Sequence, residues 1–123
     1  MGLKMYNVAS MVHYLKLAPE PFRAIAQGHK TIESRLFDAK RQNIHLGDIM
    51  VFTSRNDNTQ TIRTRVIGLH RYQSFKDLFT LNDPLKFGST HSEWLIEQIR
   101  QFYTLEDEQK YGVIGIEFEL LES

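Results

Sequence analysis

Gly28-His29-Lys30-Thr31-Ile32-Glu33-Ser34-Arg35 concentrates residue types able to do chemistry within eight positions. Gly28 stops a preceding helix, Lys30 stands at the entry to a strand, and Glu33 and Arg35 project from one face of that strand. Same-face neighbours on a strand lie roughly 6.6 Å apart, so two long side chains can pair and fix the guanidinium. A planar, oriented donor suits a base edge or a phosphate, and Lys30 adds a mobile point charge. The same spacing also suits a plain surface ion pair, worth under about 1 kcal/mol.

Further cations extend this set. Arg63 and Arg65 share one face of a long strand beside a loop, where they can steer phosphate. Lys40 and Arg41 lie in a polar connection. Tyr72, Phe75, Tyr103 and Tyr111 are of a type that stacks bases, at about 1–3 kcal/mol each, although aromatic side chains more often fill a core. Trp94 reads as helix packing ahead of a stacking platform. His13, His29, His45, His70 and His91 show no metal-ligand spacing, and there is no cysteine. His91-Ser92-Glu93 is similar to the His-x-Glu of zinc deaminases but lacks the downstream cysteines that chemistry needs. Without a Gly-rich phosphate loop or a nucleophile elbow either, neither metal nor cofactor is expected.

The 123 residues correspond to about one domain, and 41% hydrophobic with 24% charged is ordinary globular composition. The absence of cysteine excludes disulfide scaffolds and thiol nucleophiles. No apolar run approaches the roughly 20 residues that span a bilayer. No secretory leader or lipidation signal is evident, so no membrane association and a cytoplasmic location are expected. Lys plus Arg balances Asp plus Glu at 15 each, but unevenly along the chain. Residues 1–75 hold 11 basic and 5 acidic residues; residues 76–123 hold 4 and 10. Either the two halves pair with each other, or part of the basic set forms a wall that attracts phosphate despite overall neutrality.

The elements that must position these residues follow from periodicity and punctuation. Residues 1–10 read as a loose tail and 11–123 as a single domain. Met11–Leu17 alternates as a strand with both faces partly covered. Pro19 and Pro21 open a short helix with Phe22, Ile25 and Ala26 as its stripe. Thr31–Arg35 is a second strand. Asp38–Asn43 is a polar link with at most one helical turn, and Leu46-Gly47-Asp48 turns into Ile49–Ser54, a strand apolar on both faces and therefore central. Asn56–Thr59 is a hairpin loop of residues that tolerate left-handed backbone, and Thr61–Tyr72 returns with Gly68 marking a bulge or a barrel corner. Ser74–Phe79 forms a short helix. Thr90–Glu93 has capping-box spacing ahead of a helix with Leu95, Ile99 and Phe102 on one side. Ile114, Ile116, Phe118 and Leu120 alternate as a final strand. The fold class is α+β: a small, mostly antiparallel barrel of about five strands flanked by short helices.

Three motifs in order, Gly28-x-Lys30-Thr31-Ile32-Glu33-x-Arg35, Leu46-Gly47-Asp48-x-Met50-Val51-Phe52 and Tyr111-Gly112-Val113-Ile114-Gly115-Ile116-Glu117-Phe118, make the chain resemble the ASCH domain family of the PUA-like superfamily. The resemblance runs from about His13 to Leu120. It implies a small barrel with a cleft lined by Lys30, Glu33 and Arg35, and a role in binding RNA or a modified nucleoside. Around Gly28–Arg35 the chain is also similar to the N4-acetylcytidine amidohydrolases, whose proposed chemistry uses a lysine, a threonine and a glutamate. Lys30 matches that lysine, whereas Glu33 stands where the threonine belongs. Asp77 and Glu93 are both placed to supply the glutamate. Hydrolysis would then use Glu33 as a general base on water, assisted by Lys30. Three expectations result: RNA or nucleoside binding by Lys30, Glu33 and Arg35 with Lys40, Arg41, Arg63 and Arg65 as electrostatic guides; hydrolysis by Lys30 and Glu33 of an N4-acylated cytidine or, as another nucleic-acid hydrolase, of RNA itself; or a protein-interaction module whose acidic run Glu106-Asp107-Glu108 contacts a basic partner.

Overall fold

The computed structural model describes residues 10–121. Of the expected tail, residues 1–9 lie outside the described residues. Ser10 is tied down, its hydroxyl donating to the Gly47 carbonyl at 3.0 Å.

Five strands make one mixed sheet in the order β1-β3-β4-β5-β2, curled into a half-barrel with four helices. They are β1 (Val12–Leu17), β2 (Ile32–Leu36), β3 (Ile49–Ser54), β4 (Thr61–Tyr72) and β5 (Val113–Leu120). The helices are α1 (Pro19–Ala26), α2 (Phe75–Thr80), α3 (Ser92–Ile99) and α4 (Leu105–Tyr111), with short 3₁₀ helices at Arg41–Asn43 and Pro84–Lys86. Three pairings are antiparallel, while β1 runs parallel to β3. The intervening α1 and β2 supply the crossover that a parallel pair requires.

Alternation along the strands divides the core between two sheet faces. One face packs Leu15, Leu17, Met50, Phe52, Val66, Ile114, Ile116 and Phe118 against Phe22 and Ile25 of α1. The other packs Ile32, Leu36 and Val113 against Phe75, Leu78 and Phe79 of α2 and Leu95 of α3. Gly115 is required here: a Cβ at that position would stand 2.9 Å from Leu78 Cδ1. β3 is buried on both faces, as a central strand should be. Gly68 marks the bulge, where two residues of β4 advance against one of β5 between Val66 and Gly68.

Several expectations are corrected. β1 is covered on one face only: Leu15 and Leu17 are buried, while Val12, Tyr14 and Lys16 are exposed, because β1 is an edge strand with nothing packed outside it. Ala26 of α1 is exposed. The 56–59 loop uses no left-handed residue; it closes through Asp57, whose Oδ1 accepts from the Thr59 N–H and hydroxyl. No capping box forms at Thr90–Glu93, since His91 is the N-cap and gives no side-chain bond. α3 ends at Ile99, leaving Phe102 outside it and exposed. The capping box lies instead at Thr104 and Asp107 and opens α4, which sequence periodicity missed.

Candidate functional site

Two glycines bracket the route into the site. Gly28, at φ +78°, lets the chain leave α1, and the next residues lead directly into β2. Lys30 forms a lone β-bridge with Phe87, and the Thr31 N–H donates to the Lys86 carbonyl at 2.8 Å. The 84–88 segment therefore packs along the approach to β2. Gly88, at φ +90°, comes so close that a Cβ there would lie 3.6 Å from the Lys30 Cβ.

Glu33 is 5% exposed, and both its carboxylate oxygens are occupied. Oε1 accepts from Lys30 Nζ at 2.9 Å and from the Ser34 N–H at 3.1 Å; Oε2 accepts from Arg35 Nη2 at 3.0 Å. Burial alone would push its pKa up, but the two neighbouring cations and their hydrogen bonds outweigh that and lower it to about 2. Burial works against the Arg35 charge too; Glu33 and the Tyr103 phenol overcome it and raise the Arg35 pKa. Lys30 and Arg35 side chains keep 13% and 18% of their surface open. Two cations thus share one carboxylate, leaving one positive charge without a counter-ion at a site with solvent access.

This arrangement holds two cations on one carboxylate. A carboxylate ionised down to pH 2 and saturated with donors has little affinity for a proton, so Glu33 is ill suited to be a general base. Asp77 and Glu93 occupy the first turns of α2 and α3. Among the described residues neither makes an ion pair or hydrogen bond to the triad. No three metal-ligating side chains converge among the described residues. No described helix is long and apolar enough to cross a membrane.

Beside Lys30 lies a recess lined by His29, Leu85, Gly88, Ser89, Thr90, His91 and Trp94. Trp94 is 47% exposed and belongs to this wall, which corrects the helix-packing expectation: it faces away from the Leu95 side of α3. Of the other aromatics, Phe75 is fully buried and stacks on Phe79 and Tyr103, so it has no free face for a base. Tyr72 is partly buried and Tyr111 exposed.

The expected guide residues do not converge on the triad. Arg41 is bound to Asp38, 3.1 Å from Nη1 to Oδ2, and Lys40 beside it is exposed. Glu33 pairs with Ile116 of β5 and Arg65 with Glu119, three residues further, so Arg65 and Arg63 stand on the opposite sheet face. The bulge is responsible, since Leu69 and Arg71 share Arg65's parity yet return to the Glu33 side. Nor do the chain halves neutralise each other. Among the described residues His70 with Glu117, at 2.8 Å, is the one pair linking them.

Sequence reasoning did not show that two further carboxylates are buried. Asp48 accepts from His13 Nε2 and from the Met11 and His45 N–H groups, stitching the Leu46-Gly47-Asp48 turn to β1. Glu108 accepts from the Phe75 N–H and from Arg100 Nη2, both at 2.6 Å. The run Glu106-Asp107-Glu108 is therefore no uniform acidic surface, because its third member is internal. Thr104-x-x-Asp107 was the signal that could have revealed α4.

A family model described as ASCH domain matches residues 15–122. The hypothetical protein PH0355, in its crystal structure, is similar at TM-score 0.80 and 34% identity, covering 90% of this chain and 100% of that one. The solution NMR structure of protein PF0455 from Pyrococcus furiosus follows at TM-score 0.73 and 33% identity, with 92% and 100% covered. The ASCH domain from Lactobacillus crispatus JV V101 shares the fold at TM-score 0.59 with only 12% identity, covering 96% and 90%. Among curated proteins none matches.

Proposed function

The chain belongs to the ASCH domain family, and from that premise we propose that it binds RNA or a modified nucleoside at Lys30, Glu33 and Arg35. The observation that carries this reading is the charge imbalance of the triad: Glu33 fixes two cations but neutralises one. A phosphate or an electron-rich base edge completes the set. Arg35 presents a plane of donors that Glu33 holds in place, and such planarity favours bidentate acceptors. Trp94, which shares its recess with His29 and Gly88, offers an exposed ring for a base. Lys40 is an outlying guide for phosphate, and Arg41 contributes less because Asp38 holds it.

The test is a titration of the protein with cytidine, N4-acetylcytidine and a short mixed-sequence RNA, followed by amide NMR shifts with product analysis of the same samples. Saturable shifts centred on 30–35 and on Trp94, with no acetate released, are the expected result. Trp94→Ala weakens binding about 5- to 100-fold, the range of one lost stacking contact. Shifts that avoid both regions, or equal affinity in a folded Lys30→Gln variant, overturn the reading. Release of cytidine and acetate would replace it with hydrolysis.

A further inference from the structure

The outer face of β1, β3 and the first half of β4 carries a cluster of exposed basic and aromatic side chains, on the side of the sheet away from Glu33. Register defines it. Tyr14 stands opposite Val51, which stands opposite Arg63; Val12, Ile49 and Arg65 form the next row. Lys16, Thr53 and Thr61 form the row on the other side, and Arg55 follows the end of β3. Tyr14 is 66% exposed, the apolar Ile49 and Val51 are buried beneath the patch, and Lys16, Arg55, Arg63 and Arg65 are all exposed. None of these four cations makes an ion pair among the described residues. Glu119, opposite Arg65, is the acid that the register sets at the margin.

We propose that this face is a docking surface for single-stranded nucleic acid, with one base on Tyr14 and the backbone along Arg63, Arg65, Lys16 and Arg55. Charge complementarity identifies the occupant as a polyanion, and the exposed aromatic ring narrows the choice. A tyrosine on an open strand face gives an unstacked base a surface, whereas a duplex keeps its bases in its own stack. Strand spacing puts Tyr14 and Arg63 about 10 Å apart across the buried Val51, so the ring and the guanidinium are separate contacts on one face. The surface does not depend on the triad: nucleic acid on this face contacts neither Lys30 nor Arg35.

The experiment is fluorescence anisotropy of a labelled uridine dodecamer with the full chain at several salt concentrations, together with amide shifts. Engagement of the four cations gives a slope of log affinity on log salt near about −3. The double variant Arg63→Glu/Arg65→Glu lowers affinity at least 10-fold and flattens the slope. Tyr14→Ala weakens binding with the slope unchanged. Shifts fall at 12–16, 51–53 and 61–65. Unchanged affinity in the charge-reversed variant overturns the proposal, as does shift mapping confined to 30–35, which would leave only the triad as a binding site. Equal binding of a duplex, or of an acidic protein, with no effect of Tyr14→Ala would also overturn it.

Discussion

The Glu33 carboxylate and the Arg35 guanidinium, two residues apart on one face of β2, meet at 3.0 Å with Lys30 closing the other side of the carboxylate. Strand alternation creates the approach, and burial makes it consequential. An exposed pair of the same geometry would contribute little, while a buried one is costly to break because the survivor keeps its desolvation penalty.

Glu33→Gln removes that counter-charge with little change in shape. It is expected to lower stability by about 3–5 kcal/mol at neutral pH, since two partly buried cations then face each other unshielded. Urea unfolding measures this, and a loss below about 1 kcal/mol would mean the triad behaves as a solvated surface pair.

Acid should act through the same carboxylate. Glu33 titrates near 2 in the folded chain against 4.5 for an unperturbed glutamate, so on acidification the unfolded state takes up its proton first. The contribution is complete above about pH 5 and is lost as the pH falls toward 2, amounting to about 3 kcal/mol. Urea midpoints of the wild type and Glu33→Gln should therefore converge as the pH falls from about 5 to about 2. Parallel curves across that window would assign the acid sensitivity to another group.

Glu108→Ala tests the second buried carboxylate. It leaves the Phe75 N–H without an acceptor and frees Arg100, at a cost of about 2–4 kcal/mol. Hydrogen exchange at Phe75 should accelerate with the loss of stability. Affinity for a nucleoside at the triad should hold wherever the variant remains folded.

Gly115→Ala and Gly68→Ala separate two kinds of crowding. At Gly115 the added methyl meets Leu78 at 2.9 Å and Ile32 at 3.1 Å inside the core, an overpacking worth about 1–3 kcal/mol. At Gly68 it meets the ends of Glu117 and His70, both at 2.9 Å, and partly exposed side chains can swing away. Thermal unfolding should show the larger drop for Gly115→Ala, and the reverse order would mean that the bulge tolerates no side chain.

Local pattern carried most of the architecture. β5 follows from apolar alternation, β3 from an unbroken apolar run and β4 from the hairpin loop before it, the Gly28 stop from its place after α1, and the Glu33–Arg35 pairing from period two. Three features were not legible because they depend on distant parts of the chain. α4 has no apolar stripe, and its buried side is the carboxylate of Glu108, which hydrophobic periodicity cannot register. Trp94 has the composition of a core residue and is exposed only because Leu95 turns the other side of α3 inward. Arg63 and Arg65 lie on the far face because one extra residue at the bulge reverses parity, and a glycine announces a bulge without fixing which partner is skipped.

β2 has a single neighbour in the sheet, and that neighbour is β5, some eighty positions further along the chain. Synthesis delivers the residues of the triad some eighty positions before the strand that seats them. Until β5 leaves the ribosome, Glu33 has no strand beside it and no reason to be desolvated. Pairings of such long separation are slow to form, so the triad matures with the last folding step. Its hydrogen bonds should then be absent from nascent chains that stop after α4, and the capacity to bind at Lys30 and Arg35 should appear together with the completed sheet.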